Sequence, residues 1–489
     1  MPAVATERAI EQVVEASTAG VTAQQIGLAG DPQTGTGSSR PTAGPGWVTE
    51  QLACPAGFDP LDLHRLDPGR YPFLLESVAH GTAQGRYDLV FAFPGDEIRG
   101  QAGPADTTAP FLPRLDAALA AASLPSPPAP DLPFRGGWFL YLGYELRSET
   151  EPAAGQRAVA GGPVAVAVRI PAAVLRDRLT GTLWLVAEAG SEACLVEMRR
   201  DLGRLPAPAA SRPGPLADDL REPDPAAFLA AVATTRDLIA RGDLYQANLS
   251  RRWHGQLVAG VAPWEVYARL RATNPAPFAG LAVWPGFALA SSSPERLVQV
   301  TGTAIETRPI AGTRPVAGGS AADRRRELLD SAKERAEHVM LIDLERNDLG
   351  RICQPGSVAV RDFMVIESYA HVHHIVSGVR GTLRPGVSPG DILRAVFPGG
   401  TITGCPKVRC MAVIDELEAA PRGAYTGSMG YLNRDGSCDL NILIRTIELR
   451  GDQLSFAAGS GIVADSDPWH ELEETRAKAR GMVLAVGAP

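Results

Sequence analysis

An α+β fold is what this chain predicts, and three observations carry that reading. Short β-rich runs cluster around helical segments with no regular strand–helix repeat, which argues against a doubly wound parallel sheet. Pro and Gly clusters bound the runs, as they do where strands end in turns. A chain of 489 residues, 45% hydrophobic and 21% charged, also has the apolar content for an ample core.

The elements follow in order. Residues 1–45 are rich in Ala, Thr, Gly and Ser, and predict a disordered leader with a short helix around 10–14. Residues 46–204 form a β-rich N-terminal region, with strands at 87–93, 137–142 and 182–187 and a Pro-rich loop at 124–133. The Pro- and Ala-rich stretch 205–225 reads as a linker. Residues 226–489 then open with a helix at 226–240 and strands at 279–284 and 297–301. A long helix over 321–345 would align Leu329, Ala332, Ala336 and Val339 on one face. A strand at 454–457 leads into the glycine turn Gly459-Ser460-Gly461, and a helix over 469–486 closes the chain.

Charge and cysteine usage exclude several classes. A net charge of −8 lacks the basic footprint of a nucleic-acid binder. No apolar run approaches the roughly 20 residues that span a bilayer, and no basic-then-apolar N-terminal signal occurs. The six cysteines have no metal-ligand or CxxC spacing, so they read as small buried side chains in a reducing cytosol. A cytoplasmic location is expected. Cys405, between Gly404 and Pro406, has no base beside it in sequence, and the proline marks a helix start instead.

Two features could carry chemistry, each with a plainer alternative. Glu334 and Glu337 share one helix face, as do Glu471, Glu474 and Lys478 on another helix. Converging carboxylates would suit Mg²⁺, while spacing alone favours solvated charge with i,i+4 pairing. The Gly-rich stretch 397–409 fails the phosphate-loop pattern but enters a helix, where free N–H groups fit a carboxylate.

A set of segments decides between these readings. GDLYQANLS (242–250), SSSPER (291–296), TRPIAGT (307–313), KERAEHVMLIDLERNDLGRI (333–352), HVHHIVS (371–377), FPGGTITGCPKVRCMAVIDELE (397–418), YTGSMGY (425–431), ILIRT (442–446) and AAGSGIVADSDPWHELEET (457–475) resemble, in order and spacing, the chorismate-utilising enzymes. That resemblance implies two antiparallel sheets packed as a sandwich with helices outside. It implies Mg²⁺ held by Glu337 and Glu474, and Glu295 as the acid that protonates the departing C4 hydroxyl. His374, Thr401, Tyr425, Arg445, Gly459, Gly461 and Lys478 fall at positions around the substrate's carboxylates and ring.

Gln246 stands where isochorismate-forming relatives carry a water-activating lysine, and the resemblance implies ammonia as nucleophile instead. Ala311, followed by Thr313, occupies a position that is usually lysine in aminodeoxychorismate synthases and alanine in anthranilate synthases. Against Ala311, the segments GDLYQANLS, NPAPF (274–278) and FPGGTITG resemble the aminodeoxychorismate group. The expectation is therefore C4 amination of chorismate without a covalent lysine adduct, with C2 amination to anthranilate as the alternative. FLLES (73–77) resembles a tryptophan-binding element, giving Leu75, Glu76, Ser77, Pro275 and Phe278 as a possible tryptophan site. No Gly-x-Cys-x-Gly glutaminase segment occurs, so a separate glutamine amidotransferase subunit is the expected source of ammonia.

Overall fold

Phe73, Phe91, Phe139, Trp284 and Tyr431 are buried on strands of two different sheets, and their rings meet between them. The computed structural model describes residues 42–44, 46–78, 85–100, 109–125, 132–155, 162–207, 212–315, 331–368 and 372–487. Within them, thirteen strands form one sheet and ten form a second, with antiparallel pairing throughout. Phe73 stacks on Phe139 at 4.2 Å between centroids, joining the sheets face to face. Such ring pairs contribute about 0.5–1.5 kcal/mol beyond their burial. The two-sheet α+β expectation holds.

Strands from before and after residues 205–225 hydrogen-bond within both sheets. Phe73–Glu76 pairs with Phe278–Trp284 in the first, and Gly137–Leu142 pairs with Ser428–Asn433 in the second. Helices Pro263–Thr273 and Pro468–Val486 supply Leu270 and Met482 to an apolar cluster with strand residues of the first sheet. Helices Phe111–Ala122 and Pro389–Val396 do the same for the second.

Several predicted elements shift. Residues 1–41 lie outside the described residues, and Thr42–Gly44, read as leader, is a strand paired to Trp47–Thr49. Ala217–Arg221, read as linker, is an edge strand on Gln246–Leu257. The long helix runs over Ala332–Gly350, and its predicted start, with Leu329, lies outside the described residues. Its buried face is also different: Ala336 and Val339 are exposed, whereas His338, Leu341, Glu345 and Asp348 are buried. The apolar-only pattern failed because this helix turns ionisable groups inward.

Gly459-Ser460-Gly461 is not a turn. The strand Gln453–Ile462 continues through it and pairs with Gln246–Leu257. Glycine is required there by close approach. A Cβ at Gly459 would fall 2.5 Å from the Tyr425 hydroxyl, and one at Gly461 would fall 2.5 Å from Gln246 Nε2.

Candidate active site

Glu295 sits between the strands Phe287–Ser293 and Arg296–Thr301 and is 6% exposed. Its own N–H donates to Ser293 Oγ at 3.2 Å, and its carbonyl accepts from Ile442 N–H at 3.0 Å. The Thr401 hydroxyl donates to its carboxylate at 2.8 Å, and the Ile310 N–H is a second donor. Burial outweighs these donors and the distant charges of Lys478 and Arg445, so its pKa is pushed up to about 7. A carboxyl so placed still holds its proton near neutral pH.

The register carries Ala311 and Thr313 into the same wall, because they follow Ile310 on the strand Ile310–Pro315. Ala311 lies opposite Ile375 and Thr313 opposite His374, with a bulge at Gly312 between them. Ala311 and His374 are buried. The Thr313 side chain lies outside the described residues.

A second cluster forms around the two helices expected to bear metal ligands. Gln246 Nε2 donates to Glu337 Oε1 at 3.2 Å, and Gly461 lies against both. Ser331 caps the Glu337 helix, its hydroxyl accepting from Glu334 N–H at 3.3 Å. Asp467 caps the other, accepting from His470 N–H at 2.9 Å. On that helix, oxygens of Glu471 and Glu474 and a nitrogen of His470 lie within 4.8 Å of one another. Ser460, adjoining Gly461, donates to Glu471. The strand residues Ser460 and Gly461 therefore link the Glu337 helix to the Glu474 helix.

Hard carboxylate oxygens from two helices beside one strand fit Mg²⁺, which takes one or two carboxylates and keeps several waters. Lys478 Nζ reaches Glu474 at 2.7 Å and the Gly459 carbonyl at 3.0 Å. Burial opposes the ionised form of Glu474, but Lys478 prevails and holds its carboxyl below the usual range. It stays ionised at neutral pH, as a metal ligand must.

Tyr425 and Arg445 complete the constellation. The Tyr425 hydroxyl meets Gly459 and accepts from Asn248 Nδ2 at 3.4 Å. Burial pushes the Tyr425 phenol up. Arg445 has a φ of +51° and is half-buried, with no hydrogen-bonded partner for its guanidinium among the described residues. Burial lowers its pKa, against the attraction of Glu295. A left-handed arginine whose guanidinium has no hydrogen-bonded partner among the described residues is suited to an incoming carboxylate.

Lys407 and Lys478, the candidates to stand in for a lysine at 311, are each engaged by a carboxylate. Lys407 is buried and bonded to Asp348 at 2.5 Å, and Lys478 is bound to Glu474. The Lys333 side chain lies outside the described residues. Asn248, Ser460 and the buried group of Glu345, Asp348 and Lys407 went unrecognised in the sequence. A charged residue on a helix carries no local mark of burial.

The expected tryptophan set is divided. A cavity of about 470 Å³ is lined by Leu75, Glu76 and Phe278, but not by Ser77 or Pro275. Glu76 is engaged already, accepting from Tyr267 Oη at 2.6 Å and from Arg271 at 2.9 Å.

Geometry and ancestry agree on the class. The profile described as chorismate binding enzyme matches residues 72–484, and the chain belongs to that family. Its relatives divide between two activities. An anthranilate synthase component I-like protein of Synechocystis is 40% identical over 358 residues, covering 73% of each chain. An aminodeoxychorismate synthase component 1 of Bacillus subtilis is 49% identical over 261 residues, covering 53% of this chain and 55% of that one. The crystal structure of anthranilate synthase component I from Streptococcus pneumoniae superposes with a TM-score of 0.72 at 32% identity, covering 82% of this chain and 93% of that one. The chain is a chorismate-utilising enzyme.

Proposed function

We propose that this enzyme aminates chorismate with ammonia, and that the product is 4-amino-4-deoxychorismate. The observation that carries amination is Gln246. Its amide nitrogen is spent on Glu337, while its buried Oε1 has no hydrogen-bond partner among the described residues. A neutral carbonyl oxygen cannot abstract a proton from water, but it accepts an N–H from ammonia and orients the lone pair. Glu295 supplies the matching proton. Hydroxide is a poor leaving group, so the C4–O bond breaks as the Glu295 carboxyl protonates it and water departs. The bound dianion raises the Glu295 pKa further, which keeps it loaded at the alkaline pH that frees ammonia.

Arg445 and the amides near Gly459 and Gly461 bind substrate carboxylates. Mg²⁺ held by Glu337 and Glu474 would offset the charge of the ring carboxylate and draw electrons from the ring. Ammonia is expected from a separate glutamine amidotransferase subunit.

Position 4 is favoured by GDLYQANLS, NPAPF and FPGGTITG. With alanine at 311, one ammonia adds at carbon 2 as water leaves carbon 4. A second ammonia then forms the bond to carbon 4 as the bond from carbon 2 to the first breaks, the proton given up by the incoming nitrogen going to the departing one so that it leaves as ammonia. The second reading stops after the first addition and loses pyruvate to give anthranilate. Ala311 and the engagement of Lys407 and Lys478 favour it specifically. Incubating the purified chain with chorismate, Mg²⁺ and ammonium at high pH and identifying the product separates the two. A product that a lyase converts to 4-aminobenzoate is expected, and anthranilate would overturn the C4 reading.

A further inference from the structure

A buried arginine joins three parts of the site, and the proposed chemistry does not use it. Arg422 is 2% exposed and lies between the helix Lys407–Leu417 and the strand Ser428–Asn433, three residues before Tyr425. Its N–H donates to Glu145 Oε1 at 2.7 Å, and the Gly423 N–H donates to Glu145 Oε2 at 3.1 Å, so the backbone is pinned. Its guanidinium then reaches in several directions. Nη1 donates to the Ile402 carbonyl at 2.9 Å, and Nη2 donates to the Asn248 carbonyl at 2.6 Å. Nε and Nη2 also donate to the two Glu418 oxygens, at 3.0 and 2.7 Å, which fixes the plane of the fork. Glu418 is itself held by the Ser250 N–H and hydroxyl, at 2.8 and 2.9 Å. The Tyr425 ring lies against the guanidinium, with 5.4 Å from centroid to carbon.

Each anchored carbonyl adjoins or carries a contact of the site. Ile402 follows Thr401, whose hydroxyl donates to Glu295 at 2.8 Å. Asn248 donates through Nδ2 to the Tyr425 hydroxyl at 3.4 Å, and its N–H donates to the Thr403 carbonyl at 2.9 Å. Two successive carbonyls of the Thr401 loop are therefore held, one by Arg422 and one by the strand that Arg422 grips. A lysine could not do the same, because its ammonium has three protons on one atom and no plane to stack.

We propose that Arg422 is the positioning residue that sets two active-site hydroxyls, holding Thr401 against Glu295 and Tyr425 against Gly459. The inference rests on the acid role of Glu295 read above. Thr401 donates to the carboxylate that remains once Glu295 has released its proton, so its placement tunes the strength of the acid. Arg422 acts through that bond and through the Tyr425 ring, not on the reacting atoms.

The test is a mutant cycle, read as steady-state chorismate disappearance with Mg²⁺ and ammonium, which is independent of the carbon aminated. Arg422→Lys keeps a charge for Glu418 but cannot hold both carbonyls, and kcat should fall at least about tenfold. In a chain that already carries Thr401→Val and Tyr425→Phe, the same change should cost no more than about twofold, because the groups it positions are gone. The alkaline fall of kcat, set by Glu295, should move to higher pH in Arg422→Lys and in Thr401→Val alike, since each loses a donor to the ionised carboxyl. Lys478, Arg445 and Glu345 also face Glu295 and are kept in every variant. Equal losses in both backgrounds, or an unmoved pH profile, would mean that Arg422 only supports the fold and would overturn the proposal. An unchanged kcat in Arg422→Lys would overturn it too. If circular dichroism shows that Arg422→Lys does not fold, Glu418→Gln takes its place in the cycle, since it frees one side of the fork. A loss of at least about threefold in wild type and none in the double variant is then expected, and equal losses overturn the proposal. Full activity of the chain with Thr401→Val and Tyr425→Phe would remove both hydroxyls from the chemistry and the proposal with them. Wild type that consumes no chorismate would reject the catalytic reading itself.

Discussion

Two regions of this molecule bury carboxylates, and they do so in opposite ways. Beside the inter-sheet cavity, Glu76 accepts from Arg271 and Tyr267, and Asp88 accepts from Arg176 at 2.5 Å and Arg178 at 2.8 Å. Burial raises Glu76, but a guanidinium answers it directly. In the active site, Glu295 has a hydroxyl and a backbone N–H as donors, and its nearest cations act only through space. A guanidinium-saturated carboxylate fixes architecture, whereas one left with neutral donors keeps its proton and can give it away.

The largest expected effect breaks the active-site half of this contrast. Glu295→Gln keeps the shape and the Thr401 contact but has no proton of the right acidity, so kcat should fall about 10²- to 10⁴-fold. Chorismate should still bind, as seen by equilibrium titration. Substantial residual turnover would remove Glu295 from the acid role. The next effect tests the cavity side. Arg271→Ala leaves Glu76 buried with Tyr267 and a more distant Arg178, and should cost about 3–5 kcal/mol in denaturant unfolding. An unchanged midpoint would show that the pair contributes little net stability.

This contrast was only half legible in the sequence. Strands such as Gly137–Leu142 and the helix Pro468–Val486 were readable because alternation, turns and caps are local. The candidate catalytic set was readable only because whole segments resemble a family. Glu337 and Glu345 look alike as charged helical residues eight apart, and only tertiary packing sets one against Gln246 and buries the other. The glycines at 459 and 461 were misread as a turn for the same reason. Their neighbours, Tyr425 and Gln246, are distant in sequence, and close approach leaves no local signature.

The smallest expected effect sharpens the comparison through pH. Glu295 titrates near 4.5 in the unfolded chain and near 7 in the folded one. Between those values the folded state binds a proton that the unfolded state has released. Its contribution is therefore fully present below about 4.5 and is lost as pH rises through about 7, amounting to about 3 kcal/mol at most. Denaturant unfolding of wild type and Glu295→Gln across that window should show a steeper loss of stability in wild type, because the variant lacks the titrating group. Glu76 is common to both proteins and its contribution cancels in the difference, whereas the Glu345 carboxyl, raised in part by the Glu295 charge, moves down in the variant. Parallel curves would mean that the folded protein holds Glu295 no more tightly protonated than water does. The neutral-donor environment would then not be what separates the proposed acid, Glu295, from Glu76.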